Sequence, residues 1–162
     1  MIISNLNEMR DFANEFAVLL KDNDVINLIG DMGAGKTTLT NFIAEYFGIN
    51  DSSSPTFAIV NIYEGDKTIY HLDLYRLDDP DELLELDYET YFYPENAITF
   101  LEWAENGEGF LPNDMINVEI SKVDTNTREI KILDDTKRGQ EINEYFSNWH
   151  LNYDFYCDYC KW

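Results

Sequence analysis

Hydrophobic positions in the first fifty residues follow two different spacings. They recur with helical periodicity over residues 9–20, behind Ser4 and Asn5, either of which can cap a helix. Residues 25–29 then form a short continuous apolar run that ends at a glycine, as a buried strand does. Helical spacing returns over residues 39–47 and again ends before a glycine. The pattern predicts a helix, a buried strand, a glycine-rich loop and a second helix.

The rest of the chain alternates between strand-like and helical segments. "FAIVNIY" and "TIYHLDLY" predict two strands joined by a hairpin at "EGDK", and "AITFLEW" predicts a strand that ends in an acidic residue. Asp79 and Pro80 are typical of a helix start. "INVEI" and "REIKIL" predict a later strand pair, and "RGQEINEYFSNW" a closing helix. We expect one α/β domain over residues 1–152, with a mixed β-sheet flanked by helices.

Charge limits the partners of this domain. The 162 residues include 11 basic and 32 acidic side chains, a net charge of −21, which repels polyanions. We therefore expect no direct binding to nucleic acid and no membrane partner, and a basic or neutral protein partner fits better. The chain has no signal-peptide pattern and no apolar run near the ~20 residues of a membrane span, which predicts a cytoplasmic location.

An aromatic segment, residues 153–162, follows the predicted domain and contains Cys157 and Cys160 in a C-x-x-C arrangement. Two cysteines cannot supply the four ligands of a structural zinc site, and no strand precedes them as in a redox motif. Incidental thiols are the favoured interpretation, with a redox or shared-metal role as the alternative. The sequence assigns this tail no purpose.

The stretch "GDMGAGKTT" matches the phosphate-binding pattern G-x-x-x-x-G-K-[ST]. Gly33 and Gly35 let backbone N–H groups approach phosphate oxygens, Lys36 supplies a cation, and the Thr37 hydroxyl is a ligand for Mg²⁺. The predicted strand and helix flank this loop in the order that the motif requires, so the expected α/β domain is of the P-loop NTPase-like class. We expect a nucleoside triphosphate and Mg²⁺ as cofactors, with nucleotide contacts along the whole loop: Gly30, Asp31, Met32, Gly33, Ala34, Gly35, Lys36, Thr37 and Thr38.

Two classes of P-loop protein, the GTPases and the small-molecule kinases, fit this sequence poorly. A GTPase needs a guanine-reading motif, of which "SKVD" at residues 121–124 is a degenerate version, and a D-x-x-G motif, for which "DLYR" at Asp73 has arginine in place of glycine. A small-molecule kinase usually clamps two phosphate chains with several arginines. This chain contains only four arginines: Arg10, Arg76, Arg128 and Arg138.

Four motifs together resemble a known family. "GDMGAGKTT", "SPTF" at residues 54–57, "HLDLYRL" at residues 71–77 and "LEW" at residues 101–103 occur in the order found in the TsaE (YjeE-type) family, the bacterial ATPase of tRNA threonylcarbamoyladenosine biosynthesis. The resemblance runs from about Ser4 to about Leu133. It implies an ATPase that docks on a TsaB/TsaD-type protein pair and hydrolyses ATP to support turnover. The alternative is a nucleotide-dependent binding module, or switch, with little turnover.

The resemblance also implies roles for individual side chains. Thr37 and Glu102 would bind the magnesium ion, and Asp73 would orient or deprotonate the attacking water. Thr56, in "SPTF", would sense the γ-phosphate in a switch-like loop. Trp103 either packs near the nucleotide or belongs to the core.

Three basic side chains near these motifs have open roles. Arg128 and Arg76 are candidate contacts to phosphate or adenine, with surface salt bridges as the alternative. His71 is expected to be structural or to face a partner, rather than to act as a base.

The chain departs from the family pattern at three positions. Met9 stands where the family usually has a threonine, which removes a polar contact and leaves a hydrophobic edge for the adenine. Asn23 and Asp87 stand where glycine is usual. Asparagine tolerates the left-handed backbone that a glycine often adopts.

Overall fold

The computed structural model describes residues 1–50 and 59–156, with side chains as far as residue 148. Seven strands and four α-helices follow one another as β1 (Ile2–Ile3), α1 (Leu6–Leu19), β2 (Val25–Ile29), α2 (Lys36–Tyr46), β3 (Val60–Glu64), β4 (Thr68–Asp73), α3 (Tyr88–Phe92), β5 (Ala97–Glu102), β6 (Ile116–Lys122), β7 (Arg128–Ile132) and α4 (Lys137–Tyr156). Short 3₁₀ helices cover Leu74–Arg76, Pro80–Glu85 and Ala104–Gly107. None of the helices in the described ranges is long and apolar enough to cross a bilayer.

The strands form one mixed sheet in the order β1-β7-β6-β2-β5-β4-β3. Its four central strands, β6, β2, β5 and β4, are parallel, and the outer pairs are antiparallel. The carboxyl ends of the four parallel strands therefore meet at one edge of the sheet, where ligand sites form in open α/β sheets. The expected α/β domain with a mixed, helix-flanked sheet is confirmed.

Each face of the sheet is covered by its own hydrophobic cluster. On one face, α1, α2 and α4 bury side chains such as Phe12, Ile43 and Phe146 against the strands. On the other face, the 3₁₀ helices and α3 pack around Leu83 and Phe92. A sheet sandwiched in this way holds the loops at its carboxyl edge on a rigid base.

Helix starts follow the expected capping chemistry, with one difference in helix type. Asn5, not Ser4, caps α1, because its side-chain oxygen accepts from the backbone N–H groups of Asn7 and Glu8, each at 3.0 Å. Asp79 caps the segment that begins at Pro80. That segment is a 3₁₀ helix of six residues and does not continue as an α-helix.

The sequence anticipated the left-handed turn at Asn23, but it anticipated neither the one at Asp87 nor every element. Asn23 and Asp87 have φ angles of 75° and 52°, the left-handed conformation that glycine would adopt there. The two-residue strand β1 was not expected, because two residues are too short to show periodicity. α4 extends to Tyr156, across the predicted boundary at residue 152, so the division into domain and tail stays a prediction. Cys157 and Cys160 lie outside the described residues.

Candidate nucleotide-binding site

The glycine-rich loop connects the end of β2 to the start of α2. Gly35 is the N-cap of α2, with φ 115°, and it offers no side-chain acceptor to the first N–H groups of the helix. Those groups have no intrahelical acceptor, and the positive end of the helix dipole lies beside them. A Cβ atom at Gly30 would lie 2.3 Å from the carbonyl oxygen of Ile120, so β6 holds the loop too closely for a side chain. The loop has the geometry of an anion-binding site.

Lys36 is buried within this loop, with 4% of its surface exposed. Its ammonium donates hydrogen bonds to the carbonyl oxygens of Gly30, at 2.7 Å, and Asp31, at 3.1 Å. The ammonium also lies 4.8 Å from the ring centroid of Trp103, a cation–π distance. Trp103 therefore contacts the loop directly, and its ring packs on that of Tyr75, with the two ring centroids 5.1 Å apart.

Thr37 and Glu102 lie side by side although they are distant in sequence. The Thr37 hydroxyl donates to Oε1 of Glu102 at 2.9 Å, and Nε2 of His71 lies 2.9 Å from the same oxygen. Burial raises the pKa of Glu102, but hydrogen bonds from His71 and Thr37 and the charge of Lys36 outweigh it, so this pKa lies below its ordinary value. A hydroxyl beside an ionised carboxylate is the hard oxygen donor set that Mg²⁺ prefers. The residues present fit a magnesium ion.

Asp73 ends β4 at the same edge of the sheet. It pairs in register with Glu102 across the parallel strands β4 and β5. One carboxylate oxygen accepts from the backbone N–H of Tyr75 at 3.0 Å, which caps the following 3₁₀ helix. The cap fixes the orientation of Asp73, and its side chain lines the cleft that also contains Lys36 and Thr37.

Two clefts flank the loop and share Gly35 and Thr38 as lining residues. The smaller, about 260 Å³, lies on the carboxylate side and is lined by Met32, Gly33, Gly35, Lys36, Thr37, Thr38, Asp73, Tyr75, Glu102 and Trp103. The larger, about 550 Å³, lies between the start of α1, the loop and the β6–β7 hairpin. The first has the charges suited to phosphates and metal. The second, lined partly by Leu6 and Met9, has the apolar surface suited to a base.

Arg128 joins the β6–β7 hairpin to the loop. Its Nε donates to the carbonyl oxygen of Ala34 at 2.7 Å, and its Nη1 donates to those of Asp124 and Thr127, each at 3.0 Å. Within the described ranges it pairs with no carboxylate, so the surface salt bridge is not its role. It lines the larger cleft, and a direct nucleotide contact stays a prediction.

Other expected site residues fall in different surroundings. Thr56 lies outside the described residues, so its role stays a prediction. Arg76 is exposed and lines neither cleft. Asp124, the last residue of the degenerate guanine-reading motif, accepts from the N–H groups of Asn126 and Thr127 at 2.8 Å and so shapes the hairpin turn.

Comparison with known proteins identifies the family. The family model described as "Threonylcarbamoyl adenosine biosynthesis protein TsaE" matches residues 3–130, well over half of the chain. The chain belongs to the TsaE family. The match includes the glycine loop, the Asp73 strand end and the Glu102 strand end, and it stops just after the start of β7.

Similarity to individual TsaE proteins extends over most of the chain. The tRNA threonylcarbamoyladenosine biosynthesis protein TsaE of Rickettsia bellii is 40% identical over 148 residues, which cover 89% of this chain and 94% of the relative. The protein of the same name from Haemophilus influenzae is 40% identical, covering 86% and 92%. The crystal structure of YdiB from Bacillus subtilis superposes with a TM-score of 0.75 at 30% identity, over 93% and 94% of the two chains.

Sequence reasoning missed part of the site. His71 is fully buried and bonded to Glu102, so the partner-facing alternative is wrong. The register of β4 against β5 creates this contact, and no short motif specifies a register. The cleft-lining hairpin residues Thr125 and Asn126 were also missed, because their closeness to the loop depends on sheet order. The only signal for them was their position in a turn after a strand that ends at the functional edge.

Proposed function

We propose that this chain is the ATPase subunit of a TsaE-dependent system for threonylcarbamoyladenosine modification of tRNA. In this proposal it binds ATP and Mg²⁺, docks on a TsaB/TsaD-type protein pair in the cytoplasm, and hydrolyses ATP to support turnover of that pair. Family membership supports the pathway. The arrangement of Lys36, Thr37, Glu102 and Asp73 supports the hydrolytic activity.

The observation that carries the proposal is the contact between Thr37 and Glu102, 2.9 Å apart beside the buried Lys36. A loop that only bound an anion would need neither a metal-binding hydroxyl nor an adjacent ionised carboxylate. The third polar group at this edge, Asp73, pairs in register with Glu102. A cation, a metal donor set and a further carboxylate around one phosphate loop are the parts that phosphoryl transfer to water requires.

Each side chain has a distinct task in this reaction. The N–H groups at the start of α2 and the ammonium of Lys36 bind the phosphate oxygens, and Thr37 and Glu102 hold the metal. Bound Mg²⁺ supplies charge neutralisation on the phosphates. Asp73, fixed by its cap to Tyr75, orients the attacking water or accepts its proton. The Trp103 ring packs against the Lys36 ammonium and restrains it.

Charge assigns tRNA recognition to the partners. A net charge of −21 leaves this chain without the basic surface that neutralises a phosphate backbone. An acidic protein instead associates quickly with a basic protein face, and such association weakens as salt increases. We therefore propose that the partner pair holds the tRNA.

Phosphate release, measured with and without the partner pair, tests the proposal. We expect slow hydrolysis by the isolated chain, a clear increase with the pair, and loss of that increase at high salt. No change in hydrolysis upon adding the pair would instead favour the nucleotide-dependent switch. Tight tRNA binding by the isolated chain at physiological salt would contradict the assignment of tRNA to the partners.

A matched pair of glutamates makes this assay specific. Glu102→Gln removes a charge from the metal donor set, whereas Glu119→Gln removes the same charge from β6, where the side chain lines neither described cleft. Only the first variant should lose partner-stimulated hydrolysis. Equal losses in both variants would show that the effect comes from net charge and docking.

A further inference from the structure

His71 contacts Glu102, one of the two proposed metal ligands, but lines neither described cleft. It is in β4, in register with Phe100 of β5, and Asp73 two residues later is in register with Glu102. Residues two apart on a strand share a face, so His71 and Glu102 face the same side on adjacent strands. The imidazole is completely buried, and Glu102 is 5% exposed.

The hydrogen bond to Glu102 fixes the tautomer of His71. An ionised carboxylate only accepts hydrogen bonds, so Nε2 of His71 must carry the proton that it donates to Oε1 over 2.9 Å. In a neutral imidazole, Nδ1 is then an acceptor. Among the described residues, Nδ1 has no hydrogen-bond partner although it is buried.

Packing alone does not account for a histidine at this position. The residues in register with His71 are Phe100 on β5 and Asn61 on β3, and Ile69 and Phe100 belong to the hydrophobic core. An apolar residue at position 71 would not leave a buried nitrogen without a partner. What only a histidine-like donor supplies is the bond to Oε1. That oxygen also accepts from Thr37, so two donors hold the same carboxylate oxygen.

We infer that His71 is a positioning residue for metal binding: it holds the Glu102 carboxylate in the orientation that faces Thr37. This inference rests on the proposed magnesium site. Groups that orient metal ligands from behind typically contribute 10–100-fold to metal affinity. His71 touches no nucleotide in this arrangement, and its effect is confined to steps that need the metal.

Asparagine and glutamine at position 71 separate positioning from packing. The amide nitrogen of glutamine can occupy the place of Nε2 and donate to Glu102, whereas that of asparagine lies near the place of Nδ1 and falls short. Both side chains are polar amides that differ by one methylene group. We therefore expect His71→Gln to retain the metal site and His71→Asn to lose it. His71→Leu, which is apolar, should behave like His71→Asn.

The test is the affinity for ADP, measured by calorimetry in EDTA and in excess Mg²⁺. For the wild type and His71→Gln we expect Mg²⁺ to strengthen ADP binding, with enhancement factors that agree within threefold. For His71→Asn and His71→Leu we expect the enhancement to fall at least tenfold, with unchanged affinity in EDTA. Circular dichroism melting monitors the folding of each variant. If His71→Asn or His71→Leu does not fold, the other of these two variants is used in the comparison.

The possible outcomes separate this inference from the proposed function. If Mg²⁺ strengthens ADP binding equally in the wild type and His71→Asn, His71 does not position the metal ligand, and the magnesium site stands. If Mg²⁺ has no effect on the wild type, the magnesium site and the inference both fail. If affinity falls equally in EDTA and in Mg²⁺, His71 has a structural role only, and the inference is wrong.

Discussion

Lys36→Met removes the one buried ammonium of the phosphate loop and keeps the aliphatic stem beside Trp103. At an effective dielectric constant of about 20, a unit charge about 4 Å from another contributes about 4 kcal/mol. Loss of that attraction to the terminal phosphates should weaken ATP binding about a thousandfold. The cleft offers no substitute, because Lys36 is the single basic side chain that lines it among the described residues.

The same substitution should hardly change folding stability. It removes two hydrogen bonds from the ammonium to loop carbonyls, at 2.7 and 3.1 Å. It also relieves the burial of a charge at the positive end of α2, which opposes that loss. Because these contributions have opposite signs, we expect the free energy of unfolding to change by about 1 kcal/mol or less. A large loss of affinity with a small change in stability identifies a binding residue.

Isothermal calorimetry with ATP and Mg²⁺ measures the affinity, and urea unfolding measures the stability. Lys131→Met is the matched control, since its side chain is half exposed on β7 and pairs with Glu129. That variant should bind ATP like the wild type. An affinity loss below tenfold in folded Lys36→Met would refute the assignment of the phosphate loop.

Three further predictions concern the acidic and basic side chains around the sheet. Asp73→Asn and Glu102→Gln should still bind ATP by calorimetry but lose at least about a hundredfold in partner-stimulated phosphate release; wild-type rates in both would show that their assigned roles are wrong. The pKa of Glu102 lies below its ordinary value of 4.5, so its charge stabilises the fold above that pH and loses this effect as pH falls through the lowered pKa. The stability difference between wild type and Glu102→Gln should thus stay constant from pH 7 to 4.5 and shrink below it in urea unfolding; shrinkage beginning near pH 6 would contradict this. Arg138→Met removes the guanidinium that donates to both carboxylate oxygens of the buried Asp24, at 2.8 Å each, and should lower the free energy of unfolding by about 3–5 kcal/mol. Adding Asp24→Asn should recover much of this loss, and a thermal melt unchanged by the single variant would exclude a stabilising role.

Local chemistry in the sequence was sufficient to predict the loop and most elements around it. Capping by Asn5 and the left-handed turn at Asn23 depend on one residue and its immediate neighbours, so the residue types predict both features. The carboxylate of Glu102 was predictable for a similar reason, because an acid directly after a buried parallel strand lies at the carboxyl edge.

Contacts between strands could not be predicted from local sequence patterns. The bond between His71 and Glu102 requires β4 to lie beside β5 in one register, and a shift by one residue would turn His71 to the other face. The helix after Asp79 has the expected start but 3₁₀ geometry, because a cap determines where a helix begins and not its hydrogen-bond pattern. Burial and register are properties of the assembled sheet, and local patterns report them only indirectly.

The guanidinium of Arg128 binds carbonyl oxygens of its own hairpin and that of Ala34, which lies 94 residues away in the chain. Opening either the β6–β7 hairpin or the loop at Ala34 breaks hydrogen bonds of the same side chain, so the two segments should fluctuate as one cooperative unit. A ligand that orders the loop would then slow amide hydrogen exchange in the hairpin as well. Nucleotide binding would in this way reduce fluctuations of the surface turn around Asn126 through the hydrogen bonds of the Arg128 side chain alone.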